Sequence, residues 1–263
     1  MIDAYSIRKI ILEQCKRADV GHIGPALSIA DILAVLYDRI LFLPKPDHAN
    51  RDRFILSKGH AALALFAALF LKGFVTKEQL DSYCTDGSLL GVHPEIGLPG
   101  VEFSTGSLGQ GLSVGAGMAL AARMKGERHR IFVLVSDAEC NEGALWETVM
   151  FAAHHKLSRL VAIVDNDGQQ ALGKTKDVLD LSPLGDKWKS FGWEVYKADG
   201  HNIEDLTDVL KGLNTETGPP KVVVADTICG KGVSFMEGKV AWHYLPMNDE
   251  QYSRALRDIE ANR

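Results

Sequence analysis

The chain has few cysteines, and they lie far apart. Its 263 residues contain four cysteines, none of which forms a C-x-x-C pair. This spacing argues against a zinc knuckle, and it does not indicate a framework of disulfide bonds. We therefore expect four reduced thiols, at Cys15, Cys84, Cys140 and Cys229.

Long apolar runs and basic runs are also missing. No stretch reaches the length of a membrane-spanning helix, and the first residues, Met1–Tyr5, are charged early and lack an apolar signal core. The formal net charge is −5, and basic residues are scattered among acidic ones, so nothing attracts nucleic acid or an anionic membrane. The expected location is the cytoplasm, with neither of these as a partner.

Apolar sequence is abundant and is arranged in alternating strand and helix patterns. Hydrophobic residues make up 46% of the chain, which is enough for a sizeable core. β-branched runs such as Ile131–Val135, Leu160–Val164 and Lys221–Asp226 predict strands, and helical patterns such as Gly109–Lys125 alternate with them. We therefore predict one domain over residues 1–263, an α/β fold with a doubly wound, mostly parallel sheet and helices on both faces.

Local signals predict some of the connecting structure. Residues 4–18 have the pattern of an amphipathic helix. A second helix is predicted over Ser28–Leu41, with Ser28 as N-cap and Asp31 three residues later in the manner of a capping box. The segment Lys174–Phe191 is predicted to be mostly irregular.

Carboxylates follow two of the predicted strands. Asp137 comes two residues after Val135, and Asp165-Asn166-Asp167 directly follow Val164. In parallel sheets, ligands bind at the carboxyl ends of strands, so these groups are expected at one binding edge. Oxygen ligands beside a diphosphate suit Mg²⁺, which keeps water and phosphate oxygens among its ligands. The spacing alone leaves open an equal alternative, in which these residues only form turns at strand ends.

Six segments occur in the order of one known family. The block 135–174 resembles the thiamine diphosphate signature, in which G-D-G is followed along the chain by an Asn-containing strand end. The six segments are Gly21–Gly24, Arg51–His60, Gly91–Glu95, Thr105–Gly111, Val135–Lys174 and Trp242-His243. Taken together, they resemble the amino-terminal half of transketolase over nearly the whole chain.

The resemblance implies thiamine diphosphate and Mg²⁺ as cofactors. The implied metal ligands are Asp137, Asp167 and the carbonyl oxygen of Gln169. A slip of one residue would instead make Asn166 the ligand, with Gly168 two residues on. The family normally has Asn at the position of Asp167. A carboxylate there is expected to tighten the binding of Mg²⁺ and to repel the diphosphate.

The clearest departure from the family is that G-D-G has become Ser136-Asp137-Ala138. The glycines of the family allow close approach of the backbone to the diphosphate. The Cβ of Ala138 can be accommodated only if its φ is negative and some space is present. The aspartate implied to bind the metal is therefore retained, while the two glycines that flank it in the family are not.

The resemblance also implies the remaining site residues. Imidazole suits active-site work because its pKa lies near neutrality and because it has both a donor and an acceptor. His22 and His93 are expected to orient hydroxyls of the substrate, and His243 is expected to assist proton transfer. The residues implied to bind the cofactor are His60, Gly106, Ser107, Leu108, Asp137, Ala138, Glu142, Asp167 and His243.

Two residues have alternative interpretations. Glu142 lies at the start of a predicted helix, where a carboxylate offsets the helix dipole. The corresponding glutamate of transketolases joins a buried acid network between the two active sites, and both interpretations carry equal weight. Lys231, between two glycines, is either a ligand for phosphate or a solvated loop residue.

The implied activity is the transfer of a two-carbon ketol unit from a ketose donor to an aldehyde acceptor. In transketolases a second, pyrimidine-binding domain supplies the glutamate that activates the cofactor, and this chain ends at Arg263, roughly where that domain would begin. We therefore expect a partner subunit with the pyrimidine-binding and C-terminal domains, an α2β2 assembly, and a sugar or sugar-phosphate substrate. The alternatives are a thiamine-binding subunit of a 2-oxo acid decarboxylating complex and a non-catalytic scaffold with a decayed cofactor site.

Overall fold

One parallel sheet forms the centre of the fold. The structure is a computed structural model, and it describes residues 2–263. The strands are β1 Arg53–Leu56, β2 Ile131–Ser136, β3 Leu160–Asn166, β4 Gln169–Gln170, β5 Gly173–Lys174, β6 Glu194–Asp199 and β7 Lys221–Asp226. Five of them pair in the order β1-β2-β3-β7-β6, all in parallel, while β4 and β5 form a separate antiparallel hairpin.

Helices cover both faces of this sheet. One apolar core lies against α1 to α4, α10 and α11, and the other lies against α6, α7 and α9. The helices are α1 Ala4–Ala18, α2 Ile23–Ser28, α3 Ala30–Val35, α4 Ala62–Leu71, α5 Lys77–Asp81, α6 Gly111–Met124, α7 Gly143–His154, α8 Thr175–Leu179, α9 Leu184–Ser190, α10 Ile203–Gly212 and α11 Asp249–Ala261. The predicted fold class is confirmed. Among residues 2–263, no helix is long and apolar enough to cross a membrane.

The strand β2 shows why the apolar runs are continuous. All of its residues are buried. Ile131 and Val133 belong to one core, and Phe132 and Leu134 belong to the other, because successive side chains of a strand point to opposite faces. A strand covered on both sides needs apolar residues at every position.

The start of the predicted helix Ser28–Leu41 is wrong. The helical segment already begins with α2 at Ile23, is interrupted at Ile29, and continues through α3 into a π-helical turn. Ser28 does not cap a helix: it is the last residue of α2, and its hydroxyl donates to the carbonyl of Pro25 at 2.9 Å and to the carboxylate of Asp165 at 2.8 Å. A capping hydroxyl would instead accept a hydrogen bond from a backbone amide of the first helical turn, and the helix has already begun before Ser28.

The segment Lys174–Phe191, predicted to be mostly irregular, contains α8 and α9. The helix α9 is short, and its Trp188 is fully buried. The indole ring of Trp188 lies 4.8 Å from that of Trp193, measured between ring centroids. Tertiary packing of one aromatic side chain therefore stabilises a helix that the local sequence does not predict.

Candidate active site

The predicted carboxylates meet at the carboxyl edge of the sheet. Residues 136 and 165 are register partners in β2 and β3, so Asp137 and Asp167 follow neighbouring strand ends. The carboxylate of Asp137 accepts hydrogen bonds from the amide of Gly168 at 3.1 Å and from the hydroxyl of Thr175 at 2.9 Å. Asp137 is thereby held against the segment that carries Asp167.

Both carboxylates lie where negative charge is unfavourable. Burial, and then the charge of Asp165, raise the pKa of Asp137 to about 6. Burial, and then the charges of Asp165 and Asp137, raise the pKa of Asp167 to about 8, although Lys58 opposes this. A raised carboxyl pKa means that the charged form lacks compensating positive charge. A divalent cation beside them would supply that charge.

The protein offers only part of a metal's coordination shell. Within the described residues 2–263, no group of three or more His, Cys, Asp or Glu side chains could hold a metal ion. The buried side-chain oxygen Oε1 of Gln169 lacks a hydrogen-bond partner in the same part of the chain. Two carboxylates and an oxygen of Gln169 suit an ion that takes its other ligands from phosphate and water.

A cavity of about 180 Å³ opens beside this segment. Its walls include residues from seven separate parts of the chain, which the fold brings together. Among the predicted cofactor ligands, those that line it are His60, Leu108, Ala138, Glu142, Asp167, Gln169 and His243. Asp137 does not line this cavity; it lines an adjacent one together with Thr175.

The altered G-D-G segment meets the steric condition on its alanine. Ala138 begins a 3₁₀ turn, Ala138–Asn141, directly after β2, and its φ is not positive. The methyl group therefore causes no backbone strain. It lines the cavity at a place where a glycine would leave more space.

Four predicted histidines form one cluster. The ring of His22 lies 5.6 Å from that of His60, 6.5 Å from that of His93 and 5.4 Å from that of His243, between centroids. The rings of His60 and His243 are 5.0 Å apart. Four segments that are far apart in the sequence thus present imidazole groups to one another.

Most of this cluster is uncharged at neutral pH. Burial lowers the pKa of His60 well below its usual value, and neighbouring positive groups lower it further. Burial, followed by the charge of His22, lowers the pKa of His243 to about 4, and burial also lowers the pKa of His22. Neutral imidazoles can both donate and accept hydrogen bonds, which suits recognition of hydroxyl groups. A bound anion would raise these pKa values.

The loop Thr105–Gly111 approaches the cluster closely. A Cβ on Gly106 would lie 3.2 Å from the ring of His93, so glycine permits this approach. Leu108 lines the cavity, whereas Gly106 and Ser107 are exposed. Of the three loop residues predicted to bind the cofactor, one faces the cavity and two lie on the open surface beside it.

A buried ion pair beneath the cavity was not predicted. Lys58 pairs with Asp165, and the two side chains are 2% and 0% exposed. Thr227 also donates to Asp165. Burial alone would lower the pKa of Lys58, but the charges of Asp165 and Asp167 outweigh it and the pKa is raised. Lys58 lines the cavity, so its charge is available to an anion there. The sequence could have pointed to Lys58, because it lies two residues before His60 in a motif of the family.

The buried glutamate of the site is Glu139. Its carboxylate accepts hydrogen bonds from the hydroxyl of Ser57 and, at 2.7 Å, from the amide of Gly109. Burial raises the pKa of Glu139. Glu142 is exposed on this chain and precedes α7. The resemblance singled out Glu142, whereas in this chain it is Glu139 whose carboxylate hydrogen-bonds both Ser57 and the amide of Gly109.

Lys231 lies away from the cavity. Its ammonium group is 3.9 Å from the carboxylate of Glu237, and it lines a different cavity, together with Arg8 and Asp31. The structure therefore does not bring Lys231 to the predicted phosphate site.

Comparisons with known proteins agree with this arrangement. A family model described as the thiamine diphosphate-binding domain of transketolase matches residues 2–259. One of the subunits of apulose-4-phosphate transketolase from Phocaeicola vulgatus is 40% identical over 254 residues, which cover 96% of this chain and 90% of that one. The 6-deoxy-6-sulfo-D-fructose transketolase subunit SqwG of a Clostridium species is 40% identical over 257 residues, covering 97% and 94%.

Solved structures give the same result. The crystal structure of transketolase from Campylobacter jejuni superposes with a TM-score of 0.92 at 30% sequence identity. The match covers 98% of this chain, which spans 42% of the length of that transketolase. The chain therefore belongs to the transketolase family of thiamine diphosphate-dependent transferases.

Proposed function

We propose that this chain is the cofactor-binding subunit of a two-polypeptide transketolase, which transfers a two-carbon ketol unit from a ketose to an aldehyde. The observation that carries this proposal is the cluster of His22, His60, His93 and His243 beside a cavity that also exposes Asp167. This combination offers hydrogen-bonding groups for sugar hydroxyls next to a site for a metal and a diphosphate. The similarity to two transketolase subunits over most of their length supports the same proposal.

The proposed contacts with the metal and the cofactor are the following. Mg²⁺ would be held by Asp137, Asp167 and the carbonyl oxygen of Gln169, because these residues follow neighbouring strand ends at one edge of the sheet. His60, Leu108 and Ala138 would contact thiamine diphosphate from the cavity wall, with Lys58 adding positive charge. The remaining proposed contacts with the cofactor are the exposed Gly106 and Ser107 and the cavity-lining Glu142 and His243.

Bound thiamine diphosphate supplies a carbanion that adds to carbonyl groups. The residues of this chain then position the substrate. His22 and His93 are proposed to hydrogen-bond the hydroxyls of the ketose, and His243 is proposed to hold a proton near the reacting carbonyl oxygen. Because burial keeps His22 and His243 neutral, these contacts are hydrogen bonds rather than ion pairs.

We also propose that a partner subunit with the pyrimidine-binding and C-terminal domains completes the site in an α2β2 assembly. The names of the relatives as subunits support a separate partner. Their named substrates are a sugar phosphate and a sulfonated sugar, so a ketose with an anionic end is the proposed substrate class. We further propose that residues 1–263 are one domain, since both cores lie on one sheet, and that the protein is cytoplasmic, since its cysteines are free.

The first test is purification of the tagged chain from its own host, with identification of co-purifying proteins and an assay of bound thiamine diphosphate. We expect a stoichiometric second polypeptide, and cofactor that is lost when EDTA removes the metal. A chain that emerges alone and without cofactor under saturating Mg²⁺ would favour the scaffold alternative.

A matched pair of variants then tests the metal site in the assembled enzyme. Asp137→Ala should abolish Mg²⁺-dependent retention of the cofactor, because it removes a ligand at the sheet edge. Asp208→Ala removes an exposed carboxylate on α10 and should leave retention unchanged. Equal retention in both variants would remove the metal site from the proposal.

A further inference from the structure

Tyr244 is an exposed aromatic residue at the edge of the cavity. It directly follows His243 in the sequence. Its relative exposure is 54%, so burial does not hold its ring in place. The ring lies 5.1 Å from that of His243, between centroids. A bulky side chain at this position therefore needs an explanation other than core packing.

The hydroxyl of Tyr244 reaches across to another segment of the cavity wall. It donates a hydrogen bond to the carbonyl oxygen of Ala171 at 2.8 Å. Ala171 lies at the tip of the hairpin formed by β4 and β5, and both Ala171 and Gln169 line the cavity. The bond thus connects the segment of His243 to the hairpin that carries the proposed metal-ligand carbonyl of Gln169.

The hairpin is too short to be rigid on its own. Each of its strands has two residues, and its ladder pairs Gln169 with Lys174 and Gln170 with Gly173. An isolated two-stranded hairpin is marginally stable at best. Contacts from outside the ladder therefore decide where it lies, and the bond from Tyr244 to its tip is such a contact.

The backbone of Tyr244 is firmly anchored on the opposite side. A Cβ on Gly21 would lie only 2.1 Å from the carbonyl oxygen of Tyr244, so the two segments are in close contact. The amide of His22 donates to the carbonyl of His243 at 3.2 Å, and the amide of Tyr244 donates to that of Ala241 at 3.1 Å. The hydroxyl is consequently presented from a fixed base.

We propose that Tyr244 is a strap that holds the hairpin closed over the cavity and slows the release of the cofactor and its metal. It is a positioning residue, since it acts through Ala171 on the backbone of Gln169. The occupant of the cavity rests on the proposed function above, whereas the fastening of the hairpin does not.

The test compares Tyr244→Phe, which removes only the hydroxyl, with a matched control. The control is Tyr196→Phe, which removes the hydroxyl that donates to Glu194 at 3.2 Å on the edge strand β6. The first readout is hydrogen exchange of the amides of residues 169–175 in the full chain without cofactor. The second is the rate at which the assembled holoenzyme loses thiamine diphosphate after transfer to cofactor-free buffer.

In Tyr244→Phe we expect both rates to rise by about five-fold, the effect of losing one neutral hydrogen bond of about 1 kcal/mol. The urea midpoint of the chain should stay unchanged, because the hairpin lies outside both cores. Tyr196→Phe should change neither rate.

Each contrary outcome has its own meaning. Unchanged exchange of the hairpin in Tyr244→Phe would overturn the strap, whatever the cavity binds. Faster exchange with unchanged cofactor release would overturn its control over the cofactor. If the wild-type assembly retains no thiamine diphosphate at all, the proposed function fails, and the exchange data still decide whether the hairpin is fastened.

Discussion

The buried pair of Lys58 and Asp165 allows the effect of one substitution to be worked out in detail. Both side chains are almost completely inaccessible to solvent. Lys58→Met keeps the length of the side chain and removes its charge. Asp165 then keeps its hydroxyl donors, Ser28 and Thr227, but loses the cation beside it. Breaking a buried pair in this way costs about 3–5 kcal/mol.

The cost has an upper limit, because the carboxyl group can take up a proton. Aspartate in an unfolded chain has a pKa of about 3.9, and each pH unit is worth about 1.36 kcal/mol. Keeping the buried acid protonated therefore costs about 4 kcal/mol at pH 7 and about 1.5 kcal/mol at pH 5. The folded variant then binds a proton that the unfolded chain releases, so the loss of stability shrinks as the pH falls.

The assay is urea unfolding of the purified chain, followed by circular dichroism at pH 7 and pH 5. We expect Lys58→Met to lose about 3–4 kcal/mol at pH 7, and we expect the double variant Lys58→Met/Asp165→Asn to recover most of it. A loss below about 1 kcal/mol, typical of exposed pairs, would refute the reasoning. An equal loss at both pH values would refute it as well.

Three further predictions concern the metal site, the histidines and α6. The pKa of Asp167 is raised to about 8, so the metal-free fold loses stability as the pH rises from about 4 to about 8, and the loss is complete above that range. Asp167→Asn should therefore raise the urea midpoint at pH 9, keep activity in the assembled enzyme and alter its metal preference. An unchanged metal dependence would favour Asn166 as the ligand. The pKa of His243 is lowered to about 4, so folding loses stability as the pH falls from about 6.5 to 4; His243→Asn should flatten this dependence in urea titrations, and an unaltered slope would contradict the burial of the ring. In α6, a Cβ on Gly115 would lie 2.5 Å from Val133, whereas one on Gly117 meets nothing within 4 Å. Gly115→Ala should cost about 1–3 kcal/mol, and Gly117→Ala should stabilise the chain by up to about 1 kcal/mol; equal urea midpoints would contradict this packing.

The class of fold could be predicted because it depends on short-range patterns. Runs such as Ile131–Val135 are apolar at every position, which is typical of strands covered on both faces. The helix over residues 4–18 follows from its periodicity, and the structure gives the same bounds. The prediction was wrong at Ser28, where a cap signal is also present. There the acceptor is Asp165, a residue far away in the sequence.

The site could be predicted only in part. The family motifs identified His22, His60, His93 and His243, but their mutual distances depend on how separate loops fold together. The motifs singled out Glu142 and did not indicate that Glu139 is buried and hydrogen-bonded to Ser57 and Gly109. They also left the position of Lys231 open, and the structure places it in a different cavity.

The amino-acid pattern alone was sufficient for the parallel sheet, the two helical layers and the carboxylates at the strand ends, because each depends on neighbours within a few residues. Only the tertiary structure revealed three other features. They are the pairing of Lys58 with Asp165, the raised pKa values of Asp137 and Asp167, and the hydrogen bond from Tyr244 to Ala171. Each of these depends on burial or on the distance between side chains that are far apart in sequence. Burial raises the free energy of an unpaired charge, so the same residue types can be inert in one fold and functional in another.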